Sequence, residues 1–335
     1  MLKVSENMNT KKLLFIVLIL ICSFFIWGCS KSKVADLPNQ GATVMVNVKS
    51  GMNTNDIMNL LIKQGLLPKE NSFTKIAKMK NLEKSLQAGS YQFKVGMSEQ
   101  EIVEILGKGS VFYTKLTIPE GYNVTQIAEL IEQEGLGKKD VFLKLAQNYA
   151  PYEYMQTKNA NIKFKSEGFL YPATYYIGVE MKEAEILKLL VDEFDRKINK
   201  EIREKLKVKK MDIQRLIILA SLVEKEAQVA EERKVVASVF ENRIKQDMPL
   251  QSCATIQYIL GYPKEELSIA DTKIQSPYNT YINSGLPPGP IANPGMPSIL
   301  AALDPEKTEY LYFVVSSGGK HTFSTNYEDH LRAIK

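Results

Sequence analysis

The sequence predicts an α+β fold, in which small strand-and-helix units precede a larger mixed α/β domain, behind an amino-terminal membrane segment. Three observations carry this prediction. One apolar run lies near the amino terminus, a short strand-plus-helix pattern recurs after it, and strong amphipathic helices precede a long loop rich in proline and glycine. At 335 residues the chain has enough material for about two domains.

The composition is that of an ordinary globular protein and excludes several classes of function. Lys and Arg number 43 against 38 Asp and Glu, and the net charge of +5 is spread along the chain, so no nucleic-acid partner is predicted. Two histidines and three cysteines are too few for most metal centres or for a disulfide framework, and we predict neither a metal nor a cofactor. Cys253 lies alone beyond the amino-terminal region and is expected to be a small buried side chain.

The first element is an apolar run at residues 13–28, preceded by Lys11 and Lys12. Its length lies between that of a signal-peptide core and that of a spanning helix, and we predict that residues 1–30 comprise a cytoplasmic tip and an uncleaved single span. The positive-inside rule then places the rest of the chain outside the cytoplasm. Cys29 also lies in a context that resembles a lipoprotein cleavage site, so a lipid anchor at Cys29 is the alternative. Residues 31–43 are predicted to be a linker.

Residues 44–135 contain three copies of a short alternating segment followed by an amphipathic helix. The strands are expected at 44–48, 91–95 and 116–118, and each helix carries apolar residues three and four positions after an isoleucine. Thr54 and Ser98 lie where N-cap residues are expected, and Glu101 completes a capping box with Ser98.

Residues 136–210 form a predicted connecting region. They comprise a polar and aromatic stretch at 138–165, an aromatic-rich stretch at 166–176 in which Pro172 breaks any helix, and a charged helix at 182–206. The lysine-rich residues 205–210 are interpreted as a solvated surface.

Residues 211–335 begin with amphipathic helices at 211–227 and 231–245 and end with strands at 310–315 and 321–324. In the first helix Glu226 shares the apolar face of Leu222 and Val223, whereas Glu224 falls among solvent-facing positions. A buried carboxyl keeps its proton to higher pH, so Glu226 is a candidate acid catalyst. The alternative is a helix end emerging into water, with Glu226 half exposed or paired with Arg233.

The passage at 249–297 is rich in proline, glycine and asparagine and carries few charges. Loops of this length in compact domains are usually functional. Tyrosine rings with amide and hydroxyl groups suit a neutral polyhydroxylated ligand such as a sugar, and this passage supplies them in the run Tyr278, Asn279, Thr280 and Tyr281.

Many short stretches resemble, in order, the endolytic murein transglycosylases of the YceG-like family. They include EGFLYP at 167–172, ASLVEKE at 220–226, YNTY at 278–281, GLPPG at 285–289, YLYFV at 310–314 and HTF at 321–323. The resemblance covers about residues 40–335, and the strand-and-helix units resemble the LysM-like module of that family. Three positions depart from the family pattern, namely Ala173, Ala227 and Cys253.

The resemblance implies a membrane-attached lytic transglycosylase whose catalytic domain is 211–335. It would cut the MurNAc–GlcNAc β-1,4 bond inside nascent peptidoglycan strands and leave a 1,6-anhydro-MurNAc end. Its implied catalytic glutamate is Glu226, and the expected sugar-binding residues are Gln251, Tyr278, Asn279, Thr280, Tyr281, His321 and Thr322. The expected partners are peptidoglycan strands, the membrane and peptidoglycan synthases.

Two other functions are open from the sequence. One is a non-catalytic wall-binding scaffold in which Glu226 is a surface helix end. The other is a serine acyltransferase of the penicillin-binding type, suggested by Ser72 and Lys75 in an S-x-x-K pattern, although the companion motifs are absent from the sequence.

Overall fold

The structure is a computed structural model that describes residues 41–109, 112–179 and 181–334. It is an α+β protein with small antiparallel strand pairs and many helices, as the sequence predicts. The chain divides into two compact units, Met1–Phe112 and Tyr113–Lys335. The predicted membrane segment and most of the linker lie outside the described residues. Among the helices of the described part, none is both long and apolar enough to cross a bilayer.

The described part of the first unit, from residue 41 onwards, contains two strands and three helices. They are β1 (Thr43–Val48), α1 (Thr54–Lys63), α2 (Phe73–Met79), β2 (Gly89–Lys94) and α3 (Glu99–Lys108). The strands pair antiparallel with Val46 opposite Tyr91. The inward-facing residues of both strands and the apolar faces of the helices form one core, which includes Val46, Val48, Ile57, Leu61, Phe73, Tyr91, Phe93, Ile102 and Leu106.

The helix caps of the first unit agree with one prediction and correct another. Ser98 caps α3 in a capping box with Glu101, as predicted. The predicted cap at Thr54 is wrong, because Asn53 caps α1 and its side chain accepts from the N–H groups of Asn55 and Asp56. Thr54 is instead the first helical residue, and its hydroxyl donates to the carbonyl of Glu83 at 2.9 Å.

The second unit contains the remaining elements. These are β3 (Tyr113–Thr117), α4 (Val124–Gln133), α5 (Lys139–Ala146), β4 (Thr174–Gly178), α6 (Glu183–Lys197), α7 (Lys200–Lys209), α8 (Ile213–Glu226), α9 (Arg233–Lys245), α10 (Cys253–Leu260), α11 (Met296–Leu303), β5 (Tyr312–Val315), β6 (His321–Ser324) and α12 (Tyr327–Ala333). β3 pairs antiparallel with β4, and β5 with β6. The β5–β6 pair is the one expected from the sequence.

One hydrophobic core runs through the second unit from Leu116 to Leu303. The third strand-and-helix pair, β3 with α4, belongs to this unit because its apolar residues share that core with Leu219 of α8. The compact division falls between Phe112 and Tyr113, so the predicted strand-and-helix region at 44–135 spans it.

Helix α8 lies at the centre of this core. Its N-cap is Asp212, whose side chain accepts from the N–H of Arg215. Every residue from Leu216 to Val223 is buried, so the helix is enclosed on all sides and has no single apolar stripe. The full enclosure places the end of α8, and with it Glu226, against surrounding elements.

Two other regions differ from the sequence prediction. The expected helix at 182–206 is two helices, α6 and α7, because Asn199 caps the second one by accepting from the N–H of Ile202. The passage at 249–297 is predicted to be a loop because it is rich in proline and glycine, but it contains the helix α10.

Candidate active site

Glu226 is the last residue of α8 and lies against the start of α10. The hydroxyl of Ser252 donates to its carboxylate, and the backbone N–H of Ala254 donates to it as well. The first N–H groups of a helix have no partner within the helix, and the helix dipole favours negative charge there. The site thus offers donors to Glu226 when it is charged.

Burial acts in the opposite direction on the same carboxyl. It raises the pKa of Glu226 above that of an ordinary glutamate. The hydrogen bonds from Ser252 and Ala254 and the nearby side chains of His321 and Lys225 lower the pKa, but burial outweighs them. The residue as a whole is half-buried. Glu226 is therefore a carboxyl that keeps its proton to higher pH while remaining accessible in part.

The loop before α10 holds Ser252 in place. The hydroxyl of Thr280 accepts from the N–H of Ser252 at 3.0 Å and pairs with the hydroxyl of Thr255 at 3.0 Å. Asn279 donates to the carbonyls of Thr272 and Ile274 at 3.0 and 2.8 Å. Both Thr280 and Asn279 are fully buried, so their side chains fix the loop against α10.

Two side chains with exposed area lie beside Glu226. The hydroxyl of Tyr281 and the thiol of Cys253 are 3.1 Å apart, and the charge of Glu226 acts on both groups. Cys253 is exposed, which corrects the expectation of a buried side chain. Its neighbours Ser252 and Ala254 are buried at the start of α10, and this leaves Cys253 on the outer side.

His321 approaches the site from strand β6 and is held by a carboxylate. Its Nδ1 is 2.7 Å from Oε2 of Glu232, and its backbone N–H donates to both Glu232 oxygens at 3.1 Å. The His321 side chain is 1% exposed. It packs edge-on against the Phe313 ring at 5.2 Å. The imidazole therefore has a fixed orientation, and it acts electrostatically on Glu226.

The other predicted sugar-binding residues lie at different places. Gln251 is exposed, with a left-handed backbone at φ 52° and its side-chain oxygen 3.2 Å from Nη1 of Arg243. Thr322 is exposed beside His321. Tyr278 is buried, and its ring centre is 5.0 Å from that of Tyr258, near the far end of α10.

Glu224 is half-buried and accepts from the backbone N–H of Gly295, the residue before α11, at 2.9 Å. It is therefore not fully exposed to solvent, contrary to the expectation from the sequence. Glu226 and Arg233 form no ion pair among the described residues, and Nε of Arg233 donates to the hydroxyl of Ser298 at 3.2 Å.

Sequence reasoning missed a second buried carboxyl, Glu167. It is 1% exposed and accepts from the N–H of Val124 at 3.1 Å, from Nδ2 of Asn293 at 3.3 Å and from the hydroxyl of Tyr258 at 3.3 Å. Burial raises the pKa of Glu167 to about 8. The signal available in the sequence was a lone acid within the apolar stretch EGFLYP. In the described part of the chain, no three His, Cys, Asp or Glu residues are grouped to hold a metal ion.

Glu226 is a carboxyl whose pKa is raised by burial and which has donors for its charged form, with an oriented imidazole and a tyrosine beside it. This arrangement is typical of an enzyme that works by proton transfer. The model of the YceG-like family matches residues 46–335, and the chain belongs to that family.

Proteins similar to this chain agree with that assignment. The chain is 36% identical to a Bacillus subtilis (strain 168) protein named endolytic murein transglycosylase, over 94% of this chain and 90% of that one. It is 35% identical to a protein of the same name from Streptococcus pneumoniae serotype 2, over 88% of this chain and 58% of that longer one. A crystal structure of a YceG-like protein from Listeria monocytogenes matches with a TM-score of 0.61 at 35% identity, covering 88% of this chain and 99% of that one.

Proposed function

We propose that this chain is a lytic transglycosylase that cuts peptidoglycan glycan strands at internal positions. The chain belongs to the YceG-like family, and its curated relatives are named for this activity. The single observation that assigns this activity to a site is the environment of the Glu226 carboxyl. Burial raises its pKa, and nearby hydrogen-bond donors stabilise its charged form.

The proposed reaction uses this one carboxyl twice. Protonated Glu226 donates its proton to the glycosidic oxygen as the MurNAc–GlcNAc β-1,4 bond breaks through an oxocarbenium-like state. The resulting carboxylate takes the proton of the C6 hydroxyl on the same MurNAc, whose oxygen closes a 1,6-anhydro ring. No water is consumed, and Glu226 ends protonated as it began. The internal hydroxyl supplies a high effective concentration of nucleophile.

The surroundings of Glu226 support both halves of this cycle. Burial favours the protonated acid before bond cleavage, and the donors Ser252 and Ala254 stabilise the carboxylate after it. His321, held by Glu232, adds a positioned ring that can stabilise the same charge.

A hydrolase would need a second carboxylate to activate water. Three acids are the first candidates for that role. Glu232 is bound to His321, and Asp271 is bound to Lys264 and Ser268, which lower its pKa to about 2. Glu231 is exposed on the surface. These engagements favour the mechanism with one carboxylate.

Among the predicted sugar-binding residues, Tyr281 has the best support because it is half-buried beside Cys253 and Glu226. We propose that Tyr278, Gln251 and Thr322 contact sugars further along the glycan strand. Asn279 and Thr280 would contribute by holding the loop in position and would not contact the sugar themselves. His321 would contribute through its effect on Glu226.

The regions outside this site have proposed roles as well. We propose that the strand-and-helix units at 44–135 act as a LysM-like glycan-binding module and that residues 136–210 connect them to a catalytic domain at 211–335. The apolar run at 13–28 would attach the protein to the membrane as a single span, with a lipid anchor at Cys29 as the alternative. Peptidoglycan synthases are the proposed protein partners.

The mass of the new glycan ends tests this proposal. Purified uncrosslinked strands digested with the protein should yield new ends that are lighter by one water than the ends a hydrolase leaves. These ends should arise inside chains as well as at termini. New ends of hydrolytic mass would require a second carboxylate, and intact strands would favour a binding scaffold.

A further inference from the structure

A second site is suggested by a cavity of about 340 Å³ near the carboxyl-terminal end of α10. Its lining includes the aromatic residues Phe164, Tyr258 and Tyr278 together with Asn161 and Asn123, and the side-chain oxygen of Asn123 accepts from the N–H of Gln126. Lys163 is the one charged residue among the described residues that line it. Aromatic faces with a few polar groups are typical of a binding pocket for a small organic group.

Lys163 is available to a ligand. The residue is exposed, and its ammonium lies 5.1 Å from the centre of the Phe164 ring. It forms no ion pair with any acid in the described part of the chain. The charge of Lys163 lowers the pKa of the buried Glu167 slightly against the effect of burial, but no hydrogen bond joins the two side chains. Glu167 accepts its hydrogen bonds from Val124, Asn293 and Tyr258. The cavity thus presents an ammonium without a protein counterion.

The cavity and Glu226 lie along the same two segments. Near the start of helix α10, the N–H of Ala254 binds Glu226. Tyr258 of the same helix lines the cavity, about 6 Å further along the helix axis. The segment 278–281 also runs between the cavity and the surroundings of Glu226. Tyr278 lines the cavity, and Tyr281 lies beside Cys253. A glycan held at Glu226 would therefore bring its neighbouring substituents to the cavity.

We infer that this cavity binds the acidic arm on the 3-oxygen of a muramic acid residue in the strand being cut, with Lys163 as the partner of its carboxylate. This inference rests on the proposed function. Neutral sugar hydroxyls need no cation, whereas the lactyl arm of muramic acid ends in a carboxylate or continues into a peptide that carries carboxylates and amides. The Asn123 and Asn161 amides match the amide groups of such a peptide.

Binding to an inactive protein tests this inference without relying on cleavage. The full-length chain carrying Glu226→Gln is titrated with three probes: a murein disaccharide with its peptide, the same disaccharide with a free lactyl group, and a neutral N-acetylglucosamine dimer. Adding Lys163→Gln should weaken binding of an acidic probe about tenfold, the effect of losing one hydrogen bond to a charged group. Lys163→Arg should keep most of the affinity, and added salt should reduce the difference.

Lys165→Gln is the matched control, because it removes the same charge two residues away and does not line this cavity. Loss of affinity for the peptide probe, or for the free lactyl probe, supports the site and identifies the source of the carboxylate. Failure of both acidic probes to bind, equal affinity with and without Lys163, or an equal loss for the neutral dimer overturns the inference. Failure of the proposed function would appear separately, in the mass of the ends that the unmodified protein produces.

Discussion

At the scale of single residues, Glu226 is held between two opposing influences. Burial favours its protonated form, whereas Ser252 and the Ala254 N–H favour its charged form. An acid–base catalyst needs access to both forms near the working pH. Helix periodicity singled out Glu226 as a candidate on an apolar face, whereas the structure encloses α8 on all sides from Leu216 to Val223.

Replacing Glu226 with Gln should lower the rate of glycan cleavage by roughly two to four orders of magnitude, because the amide keeps the shape of the side chain but cannot donate a proton. Glu224→Gln is the control, since its amide oxygen can still accept from the N–H of Gly295. Release of soluble fragments from purified strands gives both rates, and thermal unfolding checks that both variants fold. Exchanged phenotypes would assign the acid to Glu224.

The raised pKa of Glu226 predicts the pH dependence of the saturated rate. The protonated acid is the form that donates, so the rate should decline on the alkaline side as Glu226 loses its proton at a pH above the free-glutamate value of about 4.3. A pH series at saturating substrate measures this limb. A decline that is complete by the free-glutamate value would contradict the burial of the carboxyl.

At the scale of secondary-structure elements, α10 connects most of the site. Its start holds Glu226 through Ser252 and Ala254, and its far end reaches Glu167 through Tyr258. Sequence periodicity located the helices α8 and α9, the β5–β6 pair and the cap of α3. It missed α10, which is short and embedded between segments rich in proline and glycine.

The partners of Glu226 were also invisible in the sequence. Ser252 is 26 residues from Glu226, and Glu232 is 89 residues from His321. Local propensity and hydrophobic periodicity describe neighbours within a few turns, and these contacts exist only after the core has brought distant segments together. The cap misplaced by one residue, at Thr54, shows the usual uncertainty of element boundaries.

Ser252→Ala should move the alkaline limb of the rate to higher pH, because the lost hydroxyl stabilised the charged form of Glu226 and its removal raises the pKa further. We expect the rate itself to fall as well, since the carboxylate formed after proton donation loses a partner. The pH series described for the unmodified protein measures both effects. An unchanged limb would show that the bond from Ser252 does not influence Glu226.

The buried Glu167 predicts a pH dependence of stability. Its pKa is about 8 in the folded chain and about 4.3 when unfolded, so the folded state holds a proton that the unfolded state releases. The stabilising contribution is complete below the unfolded pKa. It should be lost at roughly 1 kcal/mol per pH unit as the pH rises towards 8.

Urea unfolding at several pH values between 5 and 8 measures this slope. In Glu167→Gln the slope should flatten, because the amide does not titrate. The same slope in both proteins would assign the pH dependence to other groups.

At the scale of the whole molecule, each compact unit has its own hydrophobic core. The catalytic proposal uses only residues of the second unit. We therefore expect the proposed membrane attachment and the proposed catalysis to be separable.

A fragment beginning near Val44 should be soluble and should cleave isolated strands at a rate similar to that of the full-length protein. Sedimentation after lysis and release of soluble fragments from strands measure the two properties. An insoluble or inactive fragment would show that residues 1–43 contribute to the fold.

The exposed thiol beside Glu226 gives such a fragment a practical use. Cys22 and Cys29 precede residue 44, so Cys253 would be the only cysteine that remains. A maleimide fluorophore would then attach at one position, next to Tyr281 and the proposed cleavage point. Emission from that dye could follow arrival and departure of a glycan in real time, in a chain that carries its labelling site without any added mutation.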